Sequence, residues 1–196
     1  MLEQATKIEL RKALLQKRAH LTKEQVQSSS ELVTRQLLAY DSPAREAFAK
    51  AQCVMGFLAF GKELSVDAIL AEALAQGKLV CVPFITSATE FVAVRLCSFD
   101  NFALDRYGIR TVQPPLEIIE PQAIDFVLVP GVAFGRDGSR MGMGAGYYDR
   151  FLPQLREQTV TVGVAYAALL QEHLPCDEHD QKMQLLVSES GVLTCR

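Results

Sequence analysis

Residues 124–152 read IDFVLVPGVAFGRDGSRMGMGAGYYDRFL. The run Ile124–Val129 is the most apolar strand-like segment of the chain, and a nearly continuous apolar strand belongs in a parallel sheet covered on both faces. Behind it, six of the twelve glycines fall between Gly131 and Gly146. Gly142, Gly144 and Gly146 alternate with Met143 and Ala145, and Tyr147, Tyr148, Asp149 and Arg150 follow at once. A glycine run lets backbone N–H groups turn toward an anion and approach it closely. The residues after it, through Phe151 and Leu152, read as the first turns of a helix, whose N-terminus adds partial positive charge. Arg140 and Arg150 bracket the run with full charges. The stretch therefore reads as a strand that leads into a phosphate site, and open α/β sheets bind ligands beyond the carboxyl ends of their strands.

The rest of the chain supplies the partners of that strand. Ile8, Leu10, Leu14, Leu15 and Ala19 recur at helical spacing over residues 3–19. Thr22 with Gln25 has the form of a capping box, opening a second helix through about Leu38. Residues 53–59 form an apolar run suited to a strand, followed by a turn at Gly61. Ser65 is placed to cap a helix over residues 66–76 that Gly77 ends. Residues 79–82, 91–96, 159–165, 185–187 and 192–194 read as further strands, the second of them half-exposed. Pro114, Pro115 and Pro121 mark an irregular connection. This alternation predicts an α/β fold, three-layer α/β/α with a parallel-rich open sheet, Rossmann-like, in a single domain over residues 1–196.

Composition narrows the partners. With 196 residues and 49% hydrophobic content, the chain can bury one sizeable core. A net charge of −3 argues against nucleic acid or an anionic membrane as partner, so an anionic substrate must be met by local Lys and Arg clusters. The five cysteines at 53, 81, 97, 176 and 195 are odd in number and widely spaced, which favours free thiols over disulfides or metal ligation. Charged residues interrupt the N-terminal apolar positions, and no run approaches the roughly 18 apolar residues of a membrane span. The expected setting is the cytoplasm and the expected working unit a monomer.

Two familiar phosphate loops do not fit. No glycine here precedes Lys and Ser/Thr in the frame of the Walker pattern, and a dinucleotide fingerprint would place its glycines at the strand end. Here the GxGxG begins 12 residues beyond Pro130. The whole pattern PGxAFxxxGxRxGxGxGYYDRxL over residues 130–152 instead closely resembles the signature of the 5-formyltetrahydrofolate cyclo-ligase (methenyltetrahydrofolate synthetase) family.

That resemblance implies roles for particular residues. Lys7 and Arg11 share one helix face, where like charges at i and i+4 repel and an anion between them would relieve the repulsion. The resemblance assigns both to the nucleotide phosphates. It places Leu58 and Glu63 on the folate side, where a carboxylate can accept paired hydrogen bonds from pterin N–H groups. It gives ATP to Arg140, Gly142, Met143, Gly144, Ala145, Gly146, Tyr147 and Tyr148, with Arg140 and Tyr147 also catalytic and Tyr147 beside the reacting folate. Asp149 and Asp180 fall to Mg²⁺, a hard cation that favours carboxylate and phosphate oxygens. Taken without the resemblance, Glu63 reads equally as a solvated loop carboxylate and the two tyrosines as core aromatics. The chain departs from the family at Gln184, where an aspartate is common.

The implied reaction is the ATP- and Mg²⁺-dependent cyclisation of 5-formyltetrahydrofolate to 5,10-methenyltetrahydrofolate through an N5-iminium phosphate. The implied partners are small molecules, a reduced folate and ATP. A non-catalytic folate- or nucleotide-binding relative would keep the glycines and lose Arg140, Tyr147 or Asp149; all three are present.

Overall fold

The computed structural model describes residues 2–100, 102–104 and 108–195, with side chains from residue 7 onward. Helix α1 spans Leu2–Ala19 and α2 spans Lys23–Leu38. The expected capping box forms: Thr22 Oγ1 accepts from the Gln25 amide at 3.2 Å, and Gln25 Oε1 accepts from the Thr22 amide at 2.8 Å. Helix α3, Pro43–Lys50, has no counterpart in the periodicity reading. Pro43 presets the first turn, and Ala44 and Phe48, four apart, bury one face. The Phe48 ring meets Phe126 edge-on at 5.7 Å.

Strand β1, Cys53–Met55, is shorter than the apolar run that contains it. At Gly56 the Leu70 side chain lies 2.6 Å from where a Cβ would stand, and beyond this point the chain leaves the sheet as a loop. Helix α4, Asp67–Ala75, starts one residue later than expected, after Val66, and Ser65 Oγ accepts from the Asp67 amide at 3.2 Å. Gly77, at φ +73°, ends it: its amide reaches Leu74 O while the Lys78 amide reaches Ala73 O.

The remaining strands are β2 (Leu79–Ile85), β3 (Phe91–Arg95), β4 (Phe102–Leu104), β5 (Arg110–Val112), β6 (Ile118–Ile119), β7 (Phe126–Pro130), β8 (Ala133–Phe134), β9 (Arg140–Met141), β10 (Val160–Val164), β11 (Leu185–Ser188) and β12 (Gly191–Thr194). Eight of them form one sheet in the order β12-β11-β10-β7-β1-β2-β3-β6. The pairs from β11 through β10, β7 and β1 to β2 are parallel, and β12, β3 and β6 add antiparallel edges. The parallel-rich α/β expectation holds. From β1 the chain winds outward to β2, β3 and β6, returns to β7 beside β1, then winds outward the other way. The switch point therefore lies between β1 and β7, where such sheets open a crevice.

Two cores line the two sheet faces. Leu14, Val33, Leu37, Phe48 and Leu70 of α1–α4 pack with Val54, Phe126, Leu128 and Val162. On the other face Phe151, Leu152 and Phe134 pack with Met55, Cys81, Val127 and Val129. Alternate residues of each strand thus serve opposite layers, which is why the central strands are apolar throughout. All five cysteines are free, with Cys53 and Cys81 buried in the second core. Among the described residues no helix is long and apolar enough to cross a membrane.

Candidate active site

The loops after β1 and β7 flank the switch point, and a cavity of about 760 Å³ opens between them. The site residues that the resemblance implies all line it: Lys7 and Arg11 from α1, Leu58 and Glu63 from the loop after β1, Arg140 from β9, residues 142–146, Tyr147, Tyr148 and Asp149, and Asp180 from the loop before β11; Arg150 does not. The cavity also takes residues that sequence reasoning missed: Arg18, Lys62, Phe57, Phe60, Pro83, Ile85, Phe91, Ile109, Arg110 and Asp177. Of its charged lining groups, Lys7, Arg11, Arg18, Lys62, Arg110 and Arg140 outnumber Glu63, Asp149, Asp177 and Asp180 by two, against a chain that is net negative. The surplus favours an anionic ligand.

The glycine-rich segment is not one long loop. Gly131 to Met141 folds back as the hairpin β8–β9, turning at Asp137 and Gly138, with Phe134 opposite Arg140. An Asp-Gly turn between paired apolar residues is a hairpin signal that the phosphate reading passed over. Asp137 holds the turn by accepting from Ser139 Oγ at 2.5 Å and from Lys182 Nζ at 2.8 Å. The hairpin delivers Arg140, nearly buried, to the cavity floor at the end of β7.

Arg140 Nη2 pairs with Asp149 Oδ1 at 2.7 Å, and its guanidinium carbon sits 5.6 Å from the Tyr148 ring centre. Among the described residues its Nε has no hydrogen-bond partner although buried, and the same holds for the Tyr148 hydroxyl. Tyr148 packs against Phe91 at 5.2 Å, and burial pushes its phenol well above the usual range. Tyr147 differs: its hydroxyl donates to Ser87 O at 3.1 Å.

The exposed stretch 143–145 leads to Gly146, which stands before α5, Tyr147–Phe151. Gly144 at φ +107° and Gly146 at φ +69° occupy left-handed backbone that side chains rarely adopt. Helix α5 has five residues and continues as a 3₁₀ turn over Leu152–Gln154 instead of the longer helix expected, because Pro153 cannot extend it. Arg11 Nε donates to Gly142 O at 2.9 Å, tying α1 to the glycines. Arg150 is not part of the cavity lining: its Nε donates to Thr89 O at 2.8 Å, and its Nη2 also donates to Ala145 O, bracing the turn from outside.

At the far end of α1, Lys7 Nζ donates to Asp177 Oδ2 at 2.7 Å and also pairs with Asp180. Burial pulls the Lys7 ammonium down, but its two carboxylate partners outweigh this and raise it. Glu63 lies in the loop after β1, accepting from the Phe60 amide at 3.0 Å. Burial raises its carboxyl above the usual range, with the Phe60 amide and the Arg18 charge opposing. Gln184 is exposed, outside the cavity lining, and accepts from the Thr161 amide at 3.3 Å, so the family departure there leaves the cavity wall unchanged.

Fold and cavity together define a class: an α/β protein with a large cleft at its topological switch point, cationic around a glycine-rich turn and apolar beyond it. The chain belongs to the 5-formyltetrahydrofolate cyclo-ligase family, whose sequence model matches residues 3–189. It is similar to the 5-formyltetrahydrofolate cyclo-ligase of Mus musculus, 26% identical over 193 residues and 93% of each chain. The Escherichia coli K12 5-formyltetrahydrofolate cyclo-ligase is 29% identical over 183 residues, covering 90% of this chain and 97% of the relative. The solution structure of Aquifex aeolicus 5,10-methenyltetrahydrofolate synthetase matches with a TM-score of 0.81 at 33% identity, covering 97% of this chain and 93% of that one.

Proposed function

We propose that the chain catalyses the ATP-driven cyclisation of 5-formyltetrahydrofolate to 5,10-methenyltetrahydrofolate, working as a single-domain monomer in the cytoplasm. The observation that carries this reading is the convergence of the glycine-rich turn, Arg140, Lys7 and Arg11 with Glu63 and an apolar wall in one cavity. Family membership supports the same conclusion.

The chemical problem is the formamide at N5, whose resonance makes its carbon a poor electrophile. Phosphorylation of the formyl oxygen removes that resonance: the bond from the β,γ-bridging oxygen to the γ-phosphorus breaks, a bond from the formyl oxygen to phosphorus forms, and ADP leaves with the electron pair. N10 then attacks the activated carbon and loses its proton to water. The C–O bond breaks, giving the methenyl cation and inorganic phosphate. Such a transfer asks the protein for in-line positioning and charge stabilisation more than for acid–base groups.

The residues fit those demands. Glu63 accepts from pterin N–H donors and sets the ring's orientation. Tyr147, with its ring near Phe91 at 6.3 Å, borders the reacting folate. Arg140, with one face on Tyr148, offers planar paired donors to phosphate oxygens. Lys7, Arg11 and the turn of residues 142–146 hold the rest of the triphosphate.

The donor set also fits magnesium. Two carboxylates on the cavity wall, Asp149 and Asp180, match an ion that takes one or two protein carboxylates and completes its shell with phosphate oxygens and waters. When bound there, Mg²⁺ neutralises charge on the transferring phosphoryl group.

An isotope experiment tests the route. The formyl oxygen of 5-formyltetrahydrofolate labelled with oxygen-18 should appear in the released inorganic phosphate, read by mass spectrometry. Label retained in any other product would reject phosphorylation at that oxygen.

A further inference from the structure

The cavity cations Lys7, Arg11 and Arg140 share their wall with a further arginine, Arg18. Arg18 lies on the same face of α1 as Lys7 and Arg11 and lines the cavity with them. At helical rise, Arg11 stands roughly 6 Å and Arg18 roughly 16 Å from Lys7 along the axis. The three therefore form a rail that runs from the Asp177–Asp180 loop toward Glu63.

Arg18 is only 8% exposed. Its Nη1 donates to Gly131 O at 3.2 Å, and its Nη2 reaches the Met143 thioether at 3.9 Å. Arg140 Nη1 lies 3.5 Å from Pro130 O, so two buried guanidiniums hold successive carbonyls at the end of β7. Arg140 has a carboxylate partner. Among the described residues Arg18 makes no ion pair, and of its five N–H donors only one meets a strong acceptor. A buried cation left this way is costly until an anion reaches it. Its surroundings say where the anion comes from: Met143 belongs to the glycine-rich turn, and Glu63, whose carboxyl feels the Arg18 charge, belongs to the folate side.

We propose that Arg18 binds the phosphoryl group at the junction of the two substrates, donating to its oxygens as it passes from ATP to the formyl oxygen. This rests on the cyclo-ligase reading above. Lys7 and Arg11 then hold the triphosphate along α1, and Arg18 meets the group that moves. Because the charge on that group is redistributed only during transfer, Arg18 acts on turnover more than on nucleotide affinity.

The test uses the full chain, with methenyltetrahydrofolate formation followed by absorbance and ATP affinity by calorimetry. Arg18→Met should lower kcat on the order of 100-fold or more, with the ATP Kd changed by less than about threefold and guanidinium ion restoring part of the rate. Guanidinium rescue and an unchanged Kd would not accompany a merely structural loss. If Arg18→Met fails to fold, Arg18→Lys, which keeps the charge but not the planar fork, should still lose about tenfold in kcat. A folded variant of either kind with kcat within about threefold of the parent overturns the assignment. A parent chain without activity would instead reject the cyclo-ligase reading on which the assignment depends.

Discussion

Arg140 and Asp149 meet at 2.7 Å on the cavity floor, the arginine side chain 4% exposed and the carboxylate 22%. The cation assigned to phosphate and the carboxylate assigned to magnesium thus neutralise each other. The same arrangement recurs where Lys7 pairs with Asp180 and Asp177. Each half of a magnesium–triphosphate pair finds its counter-charge here already in place. On the proposed reading, binding would exchange partners, carboxylate to metal and cation to phosphate, without leaving a buried charge alone.

In the proposed magnesium assignment Asp149 serves the metal and not as a general base. Asp149→Asn should raise the Mg²⁺ concentration needed for half-maximal rate, with excess Mg²⁺ restoring part of the activity. Loss of a base would lower the rate equally at every Mg²⁺ level. Superimposable normalised Mg²⁺ titrations of the two proteins would reject the metal role.

Gly144 is constrained by its backbone and not by space. It holds φ +107°, and an added Cβ would stand 3.7 Å from Arg11 Nη1. Gly144→Val should abolish measurable ATP binding by calorimetry while circular dichroism stays native, because a β-branched residue resists positive φ. Unchanged affinity would move the phosphate site elsewhere.

Glu63 gives the folate side a pH signature. Burial raises its carboxyl, opposed by the Phe60 amide and the Arg18 charge, and the buried phenols of Tyr148 and Tyr166 lie within its field. In the proposed role the ionised form accepts from the pterin, and that form is depleted as pH falls through a value above the ordinary ~4.3. The KM for folate should therefore rise as pH is lowered in the parent, beginning at a higher pH than an unperturbed carboxylate would give. In Glu63→Gln it should be higher at pH 7.5 and flat. A parent profile as flat as the variant's would contradict this.

Asp137 governs acid stability. Burial opposes its ionisation, but Lys182 and the Ser139 hydroxyl and amide outweigh it and hold the carboxyl far below the usual range. The stability this supplies is present above the unfolded value near ~3.9 and is lost as pH falls toward the folded value. Asp137→Asn should lose about 1–3 kcal/mol at neutral pH. In urea melts its stability should also fall less than the parent's between about pH 5 and about pH 2. Parallel pH profiles would show that the turn is held by something else.

Much of the fold was legible because its signals are local. The Thr22–Gln25 box, the Gly77 stop and the apolar strands each announce themselves within a few residues. Helix α3 was not, since its evidence is one buried face of two residues, and Phe48 becomes meaningful only beside Phe126. The glycine pattern and the Lys7–Arg11 face pointed to residues that do share one cavity. Arg18 extends that helix face and could have been found by continuing the period. Asp177 could not, because its importance comes from Lys7, 170 positions earlier in the chain. The hairpin that aims Arg140 was hidden by reading its glycines as a single loop.

The central claim is tested most directly by mixing the purified chain with 5-formyltetrahydrofolate and following methenyltetrahydrofolate absorbance, with ATP and Mg²⁺ present together and with each left out. The account predicts absorbance growth only in the complete mixture, with ADP and phosphate formed one for one with product. Product formation without ATP, or ATP hydrolysis without product, would contradict it.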